Sequence, residues 1–265
     1  MRRLAALALA AGIAAAQAQQ ERLVPAMGAL QRGDYAQGID ALTQLANGGM
    51  LEAQFLLAST LERAPAPWGD LAAASAWYLR AAEAGHAAAQ NNLGAMYFDG
   101  RGAPRDMGAA LKWYRQAAEQ GSVEAQHNVA LMYGQGLGTA RDPGAMAAWL
   151  RRAADAGAAR SQAQLGRLYL DGDGVPRDSL EAAKWFRLAA AQGYPGAQYF
   201  LGTMLQKGIG LQRDLEAAHE LFLKAAAGGD RLAMRELATI YDMGLGVPAD
   251  AEKAKLWRQR AEKAP

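Results

Sequence analysis

Four residue types recur along this chain at a single spacing of 36 residues. Trp77, Trp113, Trp149, Trp185 and Trp257 form one series, with Leu221 in the remaining place. Gly49, Gly85, Gly121, Gly157, Gly193 and Gly229 form a second. Gln54, Gln90, Gln126, Gln162 and Gln198 form a third, with Met234 in the last position. Asp70, Asp106, Asp142, Asp178, Asp214 and Asp250 form a fourth. A shared register of unrelated residue types is the signature of stacked supersecondary units, each burying its apolar face against its neighbours.

Each unit reads as two helices. Ala110, Trp113, Tyr114 and Ala117 share one helical face by their spacing. Asp106 is placed to cap that helix, and Gly121 to end it in a left-handed turn. Gln126, Val129, Ala130 and Tyr133 repeat the pattern, and the loop GLGTARD then leads to the next cap at Asp142. The units run over about 35–70, 71–106, 107–142, 143–178, 179–214 and 215–250, with a capping helix at 251–263. The first unit departs from the pattern: Ala41 stands where tryptophan is expected, and RAPAPWGD lacks the paired glycines.

The stretch KWYRQAAEQGSVEAQHNVALMYGQGLGTARD resembles the Sel-one-like repeat, a relative of the tetratricopeptide repeat, and AAKWFRLAAAQGYPGAQYFLG resembles it equally. The resemblance covers roughly Asp34 to Pro265. It implies an all-α fold, a right-handed α-solenoid of tetratricopeptide-like helix pairs with about thirteen helices in one domain over residues 19–265. It also implies a scaffold that binds a protein or peptide in its concave groove.

The first 18 residues read as a secretory signal peptide. Arg2 and Arg3 precede an apolar run from Leu4 to Ala16, and Ala16-Gln17-Ala18 is a cleavage site of the A-x-A kind. Cleavage between Ala18 and Gln19 places the chain in the periplasm or outside the cell. Without Arg2 and Arg3, 26 basic residues face 26 acidic ones. That balance argues against nucleic-acid binding, which needs a basic surplus to displace counterions. The chain has no cysteine, so packing alone must hold it.

Catalytic and metal chemistry find little support. The G-x-G pairs follow helices, whereas a dinucleotide fingerprint follows a strand. A calcium loop beginning at Asp171 would need glutamate where Ala182 stands. His86, His127 and His219 lack metal-ligand spacing, and no serine sits in a G-x-S-x-G turn. No cofactor, metal ion or catalytic residue is expected. A cysteine-rich branch of the resembled family is linked to β-lactam hydrolysis, which makes an enzyme the alternative reading. A peptidoglycan or polysaccharide binder is another, with Trp68, Phe98 and Tyr199 as stacking residues.

The glutamine series is expected to tie helices to neighbouring backbone, since a buried amide left unpaired costs about 1–3 kcal/mol. The tryptophans are expected in the core. Partner binding is expected where the repeat varies, at the position after each glutamine and four residues beyond. There the side chains mix aromatic, amide and guanidinium chemistry. Asn91, His127, Arg167, Tyr199 and Arg235 are the predicted partner-binding residues, all expected to be exposed on the concave face.

Overall fold

The computed structural model describes the backbone of residues 2–264 and the side chains from residue 17 onward. The described residues are entirely helical apart from turns and loops, and they form two compact units, Met1–Ser122 and Val123–Pro265. The first unit contains α1 (Arg2–Gln31), α2 (Tyr35–Asn47), α3 (Leu51–Arg63), α4 (Leu71–Glu83), α5 (Ala87–Asp99) and α6 (Met107–Glu119). The second contains α7 (Val123–Gln135), α8 (Pro143–Asp155), α9 (Ala159–Asp171) and α10 (Ser179–Ala191). It continues with α11 (Pro195–Lys207), α12 (Leu215–Ala227), α13 (Arg231–Met243) and α14 (Ala251–Lys263). Repeated helix pairs of this kind make the fold an all-α solenoid of the expected class. The described helices number fourteen against an expected thirteen. The additional one is α1, and the predicted signal segment falls on its first part, where side chains up to residue 16 lie outside the described residues.

Every helix from α2 to α14 has 13 residues. Local chemistry sets that length. The aspartates start the first helix of each pair: Asp106 accepts from the Ala109 amide at 2.9 Å, and Asp142 from Ala145 at 2.9 Å. Asp34 extends the series back by one step, capping α2 through the Gln37 amide. Such caps contribute about 1 kcal/mol each. A glycine with positive φ, such as Gly121 at 94°, lets the chain turn into the second helix.

The glutamines form the expected ties. Gln90 and Gln162 each donate to the carbonyl eight residues earlier, Ala82 and Ala154, at 3.0 Å. Gln54 and Gln198 make the same bond to Ala46 and Ala190 at 3.3 Å. Among the tryptophans, Trp113 and Trp185 are buried while Trp77, Trp149 and Trp257 are half-buried.

The second helix of each pair packs closely on the next first helix because it carries a glycine or alanine at the contact. In the second unit, a Cβ on Gly166 would lie 3.1 Å from Phe186 Cε1 and 3.2 Å from the Ala182 carbonyl. A Cβ on Gly202 would lie 3.0 Å from Phe222 Cε1. Where the small residue is Ala130, its counterpart is the slimmer Leu150, and both are fully buried. In the first unit Ala58 holds this position beside Tyr78, a pairing for which the structure gives no physical reason.

Gly166→Ala gains roughly 1 kcal/mol of helix propensity. It loses more than that to overpacking, because Phe186 is wholly enclosed, and the net result is a destabilisation of about 1–2 kcal/mol. Adding Phe186→Leu, which copies the Ala130–Leu150 pair, recovers part of that loss. Urea melts of the single and double variants measure both effects.

Candidate functional site

The predicted binding residues divide by burial. Asn91 on α5 and His127 on α7 are buried, at 6% exposure each, which corrects the expectation that both are exposed. Arg167 on α9 and Arg235 on α13 are exposed, and Tyr199 on α11 is half-buried. The reason is geometric. In the second unit the position after the glutamine points toward the neighbouring repeat, which encloses His127 and Ala163 and half-covers the larger Tyr199. His127 shows the contact directly: its Nδ1 lies 2.9 Å from Ser161 Oγ on α9, and Ser161 is fully buried. In every other repeat the Ser161 position is alanine (Ala53, Ala89, Ala125, Ala197 and Ala233). The one serine in that series faces the one histidine. Arg235, on the last second helix, has no such cover and remains exposed.

The accessible row lies one position further round the helix. Leu56, Asn92, Asn128, Gln164, Phe200 and Glu236 are all half-exposed and vary from repeat to repeat. The positions four residues after the predicted ones are Ser59, Ala95, Leu131, Arg167, Thr203 and Thr239, and all are half-exposed or exposed. In the second unit this row brings three side chains together. The Arg167 guanidinium sits 6.0 Å from the Phe200 ring centroid. Phe200 meets Tyr199 edge-on at 5.4 Å. Arg167 also pairs with Asp171 at 3.5 Å along its own helix. Burial raises the Tyr199 hydroxyl above its ordinary pKa, with Glu236 and Asp230 adding to the shift, so it stays a neutral donor. The structure thus joins Arg167 to Tyr199 through Phe200, a residue that the glutamine register passes over. Its signal in the sequence is an aromatic residue at a position otherwise held by Leu, Asn, Gln and Glu.

The first unit holds a polar network of its own. The fully buried Tyr78 donates to Glu62 Oε2 at 2.8 Å and accepts from Asn92 Nδ2 at 3.0 Å. Arg101 holds the other Glu62 oxygen at 2.9 Å. Burial is the main cause that pushes the Tyr78 hydroxyl up to about 12, and Glu62 adds to it. These groups satisfy one another inside the fold. Of the proposed sugar-stacking residues, Trp68 is 41% exposed, while Phe98 and Tyr199 are half-buried. Among the described residues no three histidine, aspartate or glutamate side chains converge as metal ligands, and no helix is long and apolar enough to cross a membrane.

The Sel1 repeat family matches residues 51–86, 87–122, 123–157, 159–194, 195–230 and 231–264, almost all of the helical array. The chain belongs to the Sel1-repeat family. Two solved structures share its fold closely. One is c5321, a protective antigen of uropathogenic Escherichia coli with an SLR fold, at 34% identity and a TM-score of 0.81. That alignment covers 85% of this chain and 48% of c5321, so the chain spans about half of that relative's length. The other is a Sel1 repeat protein from Oxalobacter formigenes, at 32% identity and a TM-score of 0.76, covering 91% of this chain and 96% of that one. No protein of curated function matches the chain. Sel1-repeat proteins generally act as scaffolds for protein–protein interaction, and the fold is typically not enzymatic.

The buried histidine gives the second unit an acid-sensitive contact. Burial, helped by the Arg160 charge, lowers the His127 pKa from its ordinary 6.5 to about 4. The unfolded chain therefore binds the proton more readily than the folded one. The stability of the neutral contact is complete above about pH 6.5 and is lost as pH falls toward 4, up to about 3 kcal/mol. Urea melts at pH 7 and pH 4.5 should show wild type losing more stability than His127→Gln. Equal losses would mean that the imidazole is solvated.

Proposed function

We propose that this chain is an exported scaffold of the bacterial envelope that binds a protein or peptide partner along the exposed face of its second helices. In the second unit that face is centred on Arg167, Phe200, Tyr199 and Arg235. The observation that carries this reading is the Arg167–Phe200–Tyr199 run. It joins an arginine to two aromatics on a face whose residues change while the packing positions hold constant. Arginine and tyrosine are enriched among residues that dominate binding energy. In the tetratricopeptide arrangement this face is the concave one. Cell-wall polysaccharide is a second reading, favoured by the exposure of Trp68 in the α3–α4 loop.

Export rests on the leader-like start and on one further observation. Cleavage after Ala18 would leave Gln19–Gln31 of α1, a helix of 13 residues like all the others. Among the residues whose side chains are described, Leu23, Ala26 and Ala29 of that remainder are buried. The segment removed would therefore take none of these packing residues with it. N-terminal sequencing of the protein recovered from cells should read Gln19 first; a chain beginning at Met1 would refute export by this leader.

Affinity capture from a periplasmic extract tests the binding face. Arg167→Ala and Arg235→Ala should each change stability by only about 0.5 kcal/mol, as exposed residues do. Each should weaken capture of the partner roughly tenfold or more. Lys112→Ala on α6 and Lys224→Ala on α12 should retain the partner. Loss of capture in the lysine variants alone would move the site to the first helices.

A further inference from the structure

One place in the second unit lacks two aromatic side chains that the preceding repeat has, and leaves an arginine without a partner. In the preceding repeat, Arg151 on α8 donates a hydrogen bond to the Tyr169 hydroxyl. Its guanidinium lies 5.7 Å from the Tyr169 ring centroid and 5.6 Å from that of Trp185. Thirty-six residues on, the corresponding residues are Arg187, Leu205 and Leu221. Leucine interrupts both aromatic series here, although the tyrosine position also holds it once before, at Leu61. Tyrosine stands at 97, 133, 169 and 241, and tryptophan at 77, 113, 149, 185 and 257. The arginine has been kept while the counterparts of the two rings that Arg151 contacts have gone. Arg187 is exposed. Among the described residues it makes no hydrogen bond, ion pair or ring contact.

A cleft of about 320 Å³ opens beside Leu205. It is lined by Arg187, Leu205, Leu211, Gln212, Arg213 and Asp214. Arg213 is held in place by its Nε, which donates to the Gln206 carbonyl at 3.0 Å, so its two terminal nitrogens are unused. Asp214 is occupied in capping α12 through the Ala217 amide at 2.9 Å. The cleft therefore offers two leucine walls and two guanidiniums with spare donors, beside one carboxylate whose Oδ1 caps α12. Its volume is at the small end of small-molecule sites, which span roughly 300–1,000 Å³.

We propose that this cleft binds an aromatic carboxylate. The ligand's ring would take the place of the missing tyrosine ring, against Leu205 and Leu211 and beneath the Arg187 guanidinium, where planar stacking and cation–π attraction favour it. Its carboxylate would accept charge-assisted hydrogen bonds from Arg187 and Arg213. The same chemistry is offered by a small free acid and by a peptide that ends in phenylalanine or tyrosine. None of the cleft residues is among Arg167, Phe200, Tyr199 and Arg235, on which the proposed partner-binding face is centred.

Calorimetric titration with 3-phenylpropionate, and with a glycine tetrapeptide extended by a terminal phenylalanine, tests the assignment. Wild type should bind 3-phenylpropionate. Leu205→Tyr, which restores the ring inside the cleft, should weaken binding by about tenfold or more, as should Arg187→Gln. Arg151→Gln, at the equivalent arginine that already has its rings, should leave binding unchanged. A peptide that binds more tightly than the free acid, and only when its terminus is not amidated, would assign the cleft to a chain end. A weaker peptide would assign it to a free acid. Absence of binding by both probes, or a Leu205→Tyr protein that binds as wild type does, would overturn the proposal. Arg187→Gln alters only an exposed side chain, so it remains decisive even if Leu205→Tyr folds poorly: unchanged binding in that variant would also overturn the proposal. Partner capture should be unaffected in Arg187→Gln, which separates failure here from failure of the scaffold reading.

Discussion

Close approach between a second helix and the first helix that follows it governs this structure. Gly166 and Gly202 leave room for Phe186 and Phe222, and Ala130 leaves room for Leu150. Each small residue makes a socket, and each large one fills it to interior density. A protein without cysteine has no covalent means of fixing such pairs. The buried glutamine amides add direction to the packing, because Gln162 donates to the Ala154 carbonyl at the end of the preceding helix. With sockets and ties constant, the side chains that face away from them are free to differ.

That division explains what the sequence could and could not reveal. Recurring Trp, Gly, Gln and Asp announce the helix pairs because each has a fixed local task, and the structure assigns Gln90 and Asp106 the tasks their positions suggest. The binding face is harder to place. A register counted from glutamine gives the angle of each side chain about its own helix, but not which angle the next repeat covers. By that register Asn91 and His127 look open, whereas both are enclosed. The clue lies in a second column: a lone serine, Ser161, in a series of alanines is the complement of a lone histidine 34 residues earlier. Phe200 is hidden from the register for the same reason, since its importance depends on Arg167 lying across from it on another helix.

Departures from the repeat carry distinct meanings once the packing is known. Glu62 and Arg101 depart together in the first unit and are satisfied by one another and by Tyr78, so their novelty is absorbed within the fold. Leu205 and Leu221 depart together in the second unit and leave the exposed Arg187 without the ring contacts that Arg151 makes. Variation that closes on itself is structural accommodation, whereas the exposed arginine stripped of its rings is where a ligand is proposed to bind.

The loops between pairs have a consequence for survival in the presence of proteases. Arg105, Arg141 and Arg213 each donate Nε to the carbonyl seven residues before them, and the backbone amides of Asp106, Asp142 and Asp214 return to Tyr97, Tyr133 and Leu205. Each loop is thus sewn to the end of its preceding helix at two adjacent points. A protease needs an extended stretch of backbone to thread into its active site, and exposed loop tips usually supply it. Here extension would first require breaking both stitches and the helix cap beyond them. Cleavage within these three loops should then be limited by the opening of whole helix pairs, not by loop motion.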